Sequence, residues 1–162
     1  KHRTDFLDIY LGANCRFFLG SQSGPANIPT IFRKPVAWCN FATMESLPSW
    51  NPQDLILPKK LWLCNEQRFL TFREIIDSGV GRLDQTFQYE QRGIEHIENT
   101  PEEILSIAVE MDQRLLGTWQ TSEMDEELQR RFWSRFENSK YHGKIVARIG
   151  ADFLRENQDL LV

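Results

Sequence analysis

The chain has 162 residues, of which 41% are hydrophobic and 12% aromatic, with a net charge of −4. One domain with an ordinary core fits that size, and the acidic balance speaks against a nucleic-acid binder, which carries a basic face, though not against a local phosphate site made by backbone amides. No apolar run approaches the roughly 20 residues of a membrane span, and three widely spaced cysteines, Cys15, Cys39 and Cys64, suit reduced thiols in a cytoplasmic setting better than a disulfide framework.

Thr4 can cap a helix from Asp5 to about Asn14, with Asp5 at the positive end of the helix dipole and Phe6, Ile9, Tyr10 and Ala13 on one face. In a doubly wound fold such a helix follows an earlier strand. The expectation is therefore that the chain is the later part of a larger nucleotide-binding domain.

Residues 16–40 organise the rest. Phe17-Phe18-Leu19 is a short β-favouring run closed by Gly20; Ser21-Gln22-Ser23-Gly24 follows; Pro25 opens a helical pattern at a position where its missing N–H costs nothing; Val36 to Cys39 is a second apolar run. The spacing predicts a right-handed parallel βαβ unit. Its turn lies at the carboxyl end of a strand and at a helix N-terminus, where open α/β sheets bind ligands and where unpaired N–H groups suit a phosphate. The candidate phosphate-binding residues are Gly20, Ser21, Gln22, Ser23 and Gly24, with Pro25 and Asn27 supporting the turn and helix start. Gly20 and Gly24 allow close backbone approach, and Ser21 and Ser23 add hydroxyl donors. The same residues also suit a plain strand–turn–helix corner whose serines only cap the helix. The turn is neither a P-loop nor the Gly-x-Gly-x-x-Gly dinucleotide fingerprint.

Phe41 to Asp54 reads as a long aperiodic loop leaving the second strand beside this turn, with Trp38, Phe41 or Trp50 as a stacking surface for a base or sugar, or simply as packing. Leu55-Ile56-Leu57 is an apolar trio, and Lys59, Lys60 and Arg68 read as solvated cations more readily than as diphosphate ligands. Thr71 and Glu74 form a capping box for a helix ending at Ser78, with Gly79 beyond it, and Phe87 to Arg92 makes another short helix stopped by Gly93. Ile94 to Glu98 alternates as a half-buried edge strand that points His96 away from the face of Ile97. Thr100-Pro101-Glu102-Glu103 starts a helix that Gly117 ends, so its paired carboxylates have a capping role rather than a catalytic one. Met124, Leu128, Phe132 and Phe136 form a wide stripe on a further helix, and a last helix is predicted from about Lys144 to Glu156, with Arg148 in a surface ion pair.

The segment Phe-Phe-Leu-Gly-Ser-Gln-Ser-Gly-Pro-Ala-Asn-Ile-Pro resembles the donor-side motif of GT-B-type glycosyltransferases, where a strand ends in Gly-x-x-Ser-Gly and a helix begins. A closer similarity is to a family of bacterial glycosyltransferases linked to surface polysaccharides. It extends through Asp54-Leu-Ile-Leu-Pro-Lys-Lys, Arg68-Phe-Leu-Thr-Phe-Arg-Glu-Ile, Glu98-Asn-Thr-Pro-Glu-Glu-Ile and His142-Gly-Lys-Ile-Val-Ala-Arg-Ile-Gly-Ala, most of the chain. The resemblance implies the nucleotide-sugar-binding portion of a two-domain transferase, with an acceptor-side domain or partner chain supplying the rest.

The expected fold is α/β: a partial doubly wound, Rossmann-like parallel sheet of at least three strands near 16–20, 36–40 and 94–98, flanked by helices, with residues 118–162 as a C-terminal helical extension of a single domain. The expected function is to hold a nucleotide-diphosphate sugar, with no metal or other cofactor, since three histidines and three cysteines never fall in ligand spacing. No catalytic residue is identified. A non-enzymatic nucleotide or phosphate module and a ligand-free interaction domain stand as alternatives.

Overall fold

The computed structural model describes residues 4–136 and 142–162. The first helix, α1, spans Asp5–Asn14, and Thr4 Oγ1 accepts the Leu7 N–H at 3.2 Å. β1 (Phe18–Ser21), α2 (Gly24–Ile31) and β2 (Val36–Phe41) form the expected βαβ unit, with Phe18 in register with Val36 and Ser21 with Cys39. β3 (Leu55–Pro58) adds to the far side of β2. The chain then enters a separate three-stranded ribbon made of β4 (Lys60–Leu63), β5 (Arg68–Phe69) and, after α3 (Phe72–Asp77) and α4 (Thr86–Glu90), β6 (Ile94–Ile97). α5 (Pro101–Leu116) and α6 (Glu123–Trp133) lead to β7 (Arg148–Ile149) and α7 (Ala151–Glu156). The main sheet is wholly parallel, in the order β1-β2-β3-β7, and flanked by helices, a Rossmann-like partial fold.

One strand expectation and one helix expectation need correction. Residues 94–98 do form a strand, but β6 pairs antiparallel with β4 and lies outside the parallel sheet. Its alternating pattern, one face buried and one open, suits a ribbon edge, whereas Val36 to Cys39 and Leu55 to Leu57 are buried on both faces as inner parallel strands require. The predicted helix over 144–156 also breaks in two. Val146 and Ala147 both donate to the Ser49 carbonyl, β7 then pairs with β3, and the helix begins only after Gly150. Ile145, Ile149 and Phe153 recur every four residues, which satisfies a helical period without requiring one. Residues 137–141 of the segment preceding it lie outside the described residues.

Other expectations hold. Thr71 and Glu74 make a reciprocal capping box, Gly79 takes a left-handed φ of 74°, and Thr100 and Glu103 cap α5, which Gly117 ends at φ 72°. Of the predicted stripe, Leu128, Phe132 and Phe136 are core, with Phe132 edge-on to Phe72 at 4.9 Å between ring centroids, while Met124 in the first turn of the helix is exposed. His96 packs edge-on against Tyr89 at 4.2 Å, half-buried in the ribbon, and burial lowers its pKa.

Side-chain alternation fixes the two layers. Phe18, Trp38 and Ile56 share one face of the parallel sheet through the register of their strands, the face on which α2 lies. Leu19 and Leu57 fall on the other, where Leu57 reaches Gly150 beside Ile107 of α5. The buried carboxylate of Asp125 ties α6 to α7: it caps α6 through Ser122 and takes two bonds of 2.7 Å from the Arg155 guanidinium. That guanidinium holds the carboxyl down at about 2. The stability Asp125 contributes is therefore present above its ordinary value of 3.8 and lost as pH falls through about 2. Asp125→Asn is expected to lower the unfolding free energy at pH 7 by about 2 kcal/mol and to flatten the decline of stability below pH 4, read by urea unfolding at a series of pH values.

Candidate functional site

The candidate turn is built by the strand-to-helix transition itself. β1 ends at Ser21, Gln22 and Ser23 cross to the helix, and Ser23 stands at the N-cap in extended backbone (φ −149°, ψ 163°) with its carbonyl accepting the Ala26 N–H at 3.1 Å. Its hydroxyl makes no capping bond, unlike those of Thr4, Thr71, Thr100 and Ser122 at the starts of their helices. Pro25 has no N–H and the Ala26 N–H is taken by the Ser23 carbonyl, so the donors left open at this helix start are the Gly24 N–H and the Ser23 hydroxyl.

Gln22, Ser23, Asn27 and Thr30 form one wall of a cleft of about 420 Å³; Ser46, Pro48 and Trp50 form the other, and Trp38 and Phe41 lie at its base. Three of the seven candidate residues, Gln22, Ser23 and Asn27, thus share one concave surface. Gly20, Ser21, Gly24 and Pro25 shape the turn without lining that cleft. A Cβ on Gly20 would come within 2.6 Å of the Phe18 ring, so this glycine makes room for Phe18 folding back along the strand. Ser21, odd in the strand with Leu19, points to the opposite face. Gly24 is in open space, with nothing within 4 Å of a Cβ built there, so the first turn of α2 can be approached closely.

The candidate aromatics divide. Trp38 and Phe41 are buried and meet edge-on at 6.0 Å, while Trp50 is 61% exposed at the rim and is the one free to stack on a ligand. Trp38 is held by Asp54, a buried carboxylate that also accepts the Val36 N–H at 3.0 Å and the Asn51 amide at 2.7 Å. The Trp38 indole N–H reaches Asp54 Oδ2 at 3.1 Å. Burial pushes the Asp54 carboxyl up to about 6 against these three donors.

Among the described residues, the lining side chains include no Lys or Arg and no titratable group of either sign. The cations considered from sequence are engaged elsewhere. Lys60 pairs with the buried Glu103 at 2.9 Å, Lys59 with Glu98, Arg68 with Glu66 and Glu74, and Arg148 with Glu126. An anion here would meet amides and neutral polar side chains.

Sequence reasoning missed part of this site. Thr30, Ser46 and Pro48 line the cleft, and Ser46 also borders a smaller cavity of about 170 Å³ with Thr43, Glu45 and Arg82. Glu45 is buried, pairs with Arg82 Nε at 2.8 Å and keeps Oε1 without a hydrogen-bond partner. For Glu45, Ser46 and Pro48 the only signal was the length of the loop that carries them, and Thr30, within α2, gave none. Among the described residues no group of three or more His, Cys, Asp or Glu is placed to hold a metal ion, and no helix is long and apolar enough to cross a membrane.

No protein-family model, curated protein or solved structure matches this chain significantly.

The geometry around Asp54 gives a direct test. A carboxyl whose pKa is raised on folding contributes stability that is complete below 3.8 and is lost as pH rises through about 6. The Trp38 indole sits on that carboxyl, so indole Nε1–H NMR should show one tryptophan signal titrating near pH 6, and Asp54→Asn should abolish the step. Asp54→Ala leaves the Val36 and Trp38 donors without their acceptor and is expected to cost about 3 kcal/mol in urea unfolding.

Proposed function

We propose that this chain binds the diphosphate of a nucleotide-sugar donor at the start of α2, as the donor-side portion of a glycosyltransferase. The observation that carries the reading is the uncapped Ser23: its hydroxyl and the Gly24 N–H are free at the mouth of a cleft that also holds Gln22 and Asn27 and faces the exposed Trp50. The strand-to-helix corner lies at the carboxyl edge of a parallel sheet, the edge at which open α/β sheets take ligands. The resemblance of Phe17 to Pro29 to the donor-side motif of GT-B transferases supports the same assignment.

The chemistry this portion contributes is electrostatic. Negative charge grows on the leaving nucleoside diphosphate during sugar transfer, and the Gly24 amide, fixed at the positive end of the α2 dipole, stabilises it without reorganising. Ser23 adds a hydroxyl donor, Gln22 and Asn27 add carboxamide donors, and Trp50 stacks on the base or the sugar face. A general base for the acceptor hydroxyl comes from outside the cleft, because no titratable side chain lines it. Residues on an acceptor-side domain or partner chain fill that role, and the free cysteines suit a cytoplasmic setting. The same lack of a titratable group favours, as second reading, a nucleotide-binding module with no transfer chemistry of its own.

The test is a titration of the chain with UDP, GDP, ADP and CMP, with and without magnesium, followed by calorimetry and amide NMR. The expected result is saturable binding of one nucleoside diphosphate with the largest shifts at Ser21 to Gly24. The double substitution Ser23→Ala with Gly24→Ala is expected to weaken binding by about tenfold or more, the worth of one hydrogen bond to a charged acceptor. The added methyl at Gly24 meets no protein atom within 4 Å, so the fold should be kept. Unchanged affinity in that variant would remove the turn as the phosphate site, and sugar transfer in the presence of the acceptor-side portion would separate the enzyme from the module.

A further inference from the structure

Five carboxylates are buried among the described residues: Glu45, Asp54, Glu103, Glu110 and Asp125. Four of them have a donor on each oxygen. Asp54 and Asp125 have the partners given above. Glu103 has Lys60 on one oxygen and the Thr100 N–H on the other, and Glu110 has Arg114 and the Ala151 N–H. Glu45 is the exception. It is 3% exposed, its Oε2 accepts Arg82 Nε at 2.8 Å, and its Oε1 is covered from bulk water with no hydrogen-bond partner. A buried charged acceptor left unmatched is costly, more so than a neutral one.

The place of that oxygen matters. Glu45 lies in a single helical turn, Met44–Ser46, just past the carboxyl end of β2, and it lines the cavity of about 170 Å³ with Thr43, Ser46 and Arg82. Such a space holds several waters at about 30 Å³ each, so it suits a single sugar ring better than one bridging water. Ser46 is common to this cavity and to the cleft that begins at Ser23. The two ends of the combined space have opposite chemistry. At Ser23 and Gly24 the protein offers donors, and at Glu45 it offers an acceptor. Ionised phosphate oxygens only accept, whereas sugar hydroxyls also donate. Arg82 already offsets the charge of Glu45, so the donor that fits Oε1 is a neutral hydroxyl rather than an ammonium group. Ser46 Oγ donates to the Thr43 carbonyl at 3.1 Å, which leaves its lone pairs to accept from a second hydroxyl.

We propose that this cavity is the sugar subsite of the donor cleft: it receives the glycosyl group of a nucleotide-diphosphate sugar, and a ring hydroxyl donates to Glu45 Oε1 as the carboxylate turns on its Arg82 contact to meet it. The inference rests on the donor reading of the cleft and adds to it which end of the ligand lies where. The diphosphate sits at Ser23 and Gly24, the glycosyl group passes Ser46 to Glu45, and the exposed Trp50 is left for the base. The unmatched oxygen is then a binding group whose partner arrives with the ligand.

The test compares each nucleoside diphosphate with its own sugar derivatives on the full chain by calorimetry: UDP with UDP-glucose, UDP-galactose and UDP-N-acetylglucosamine, GDP with GDP-mannose, and ADP with ADP-glucose. For the nucleotide that binds, at least one sugar derivative is expected to bind about tenfold more tightly than the bare diphosphate, the worth of one hydrogen bond to a charged acceptor. In Glu45→Met the two affinities should become equal. Methionine fills similar space without a polar atom, and the amide spectrum checks that the fold is kept. Glu45→Gln keeps the shape and an acceptor for Arg82, serves if the methionine variant does not fold, and is expected to cut the gain severalfold. Absence of binding by every diphosphate and sugar derivative would remove the donor reading and this subsite with it. A diphosphate that binds while none of its sugar derivatives binds more tightly, or a gain undiminished in the Glu45 variants, would overturn the subsite alone and leave Oε1 to a bound water.

Discussion

The end of β2 is set by a doubled hydrogen bond between Asn40 and Asn99, and the placement of the cleft depends on it. Each carboxamide oxygen accepts the other residue's backbone N–H at 2.6 Å, and Asn99 Nδ2 also reaches the Pro58 carbonyl at 3.1 Å. Asn40 occupies a left-handed conformation (φ 53°) where the register between β2 and β3 shifts. An L-residue there costs about 1 kcal/mol, and asparagine is among the few that adopt it routinely. The clasp offsets that cost with two well-aligned bonds of about 1 kcal/mol each. It also joins three elements at one point: the end of β2, the end of β3 and the residue before the Thr100 cap of α5. The loop carrying Ser46, Pro48 and Trp50 leaves from that fixed point toward α2, and so becomes the second wall of the cleft.

The other end of β2 is held by a different kind of group. Asp54 accepts the Val36 N–H and the Trp38 indole, pinning β2 at its start and its central aromatic at once. β2 is thus fixed at both ends by side chains from elsewhere in the chain, one neutral and one ionisable. The neutral clasp is indifferent to pH. The carboxylate is not, because burial works against its ionisation while three donors favour it. Trp38 lies in both relations, as core and as the base of the cleft.

What was legible in the sequence was local. The helix starts at Thr4, Thr71 and Thr100 each rest on a side chain reaching two or three residues ahead, and the stops at Gly79 and Gly117 on a backbone angle that glycine adopts freely; such features lie within one turn of the chain. The βαβ unit was legible because its runs are bounded by Gly20, Pro25 and Pro35. What escaped were decisions made by distant partners. The Leu55 to Leu57 trio becomes a third parallel strand because β2 is beside it, and Ile94 to Ile97 joins the ribbon because Lys60 to Leu63 lies opposite. The 144–156 period is interrupted because the Ser49 carbonyl, about a hundred residues upstream in sequence, takes two of its N–H groups. In the candidate site, Gln22, Ser23 and Asn27 could be named from the turn. Thr30, Ser46 and Pro48 could not, since nothing local distinguishes them from any other loop or helix residue.

The absence of charge from the lining of the cleft follows from how the chain uses its cations. Lys60 sits against the buried Glu103, which caps α5; Arg155 holds the Asp125 that caps α6; Arg68 holds the Glu74 that caps α3. In each case the carboxylate serves a helix N-terminus and the cation neutralises it, so capping by acids draws basic side chains into structural pairs. α2 is different. Its cap residue is a serine that leaves its hydroxyl unused, its first turn holds no acid, and among the described residues no cation lines the cleft beside it. The positive end of that helix dipole is consequently not cancelled by the protein's own carboxylates. A neutral, uncapped helix start favours an anion chiefly through short-range amide bonds, which act over about 3 Å and require the ligand's oxygens to come into direct contact. Selection at such a place depends on shape and on what flanks it. Here the flanks are the carboxamides of Gln22 and Asn27 and the exposed face of Trp50, groups that suit a ligand in which a phosphate is attached to a larger polar and aromatic body.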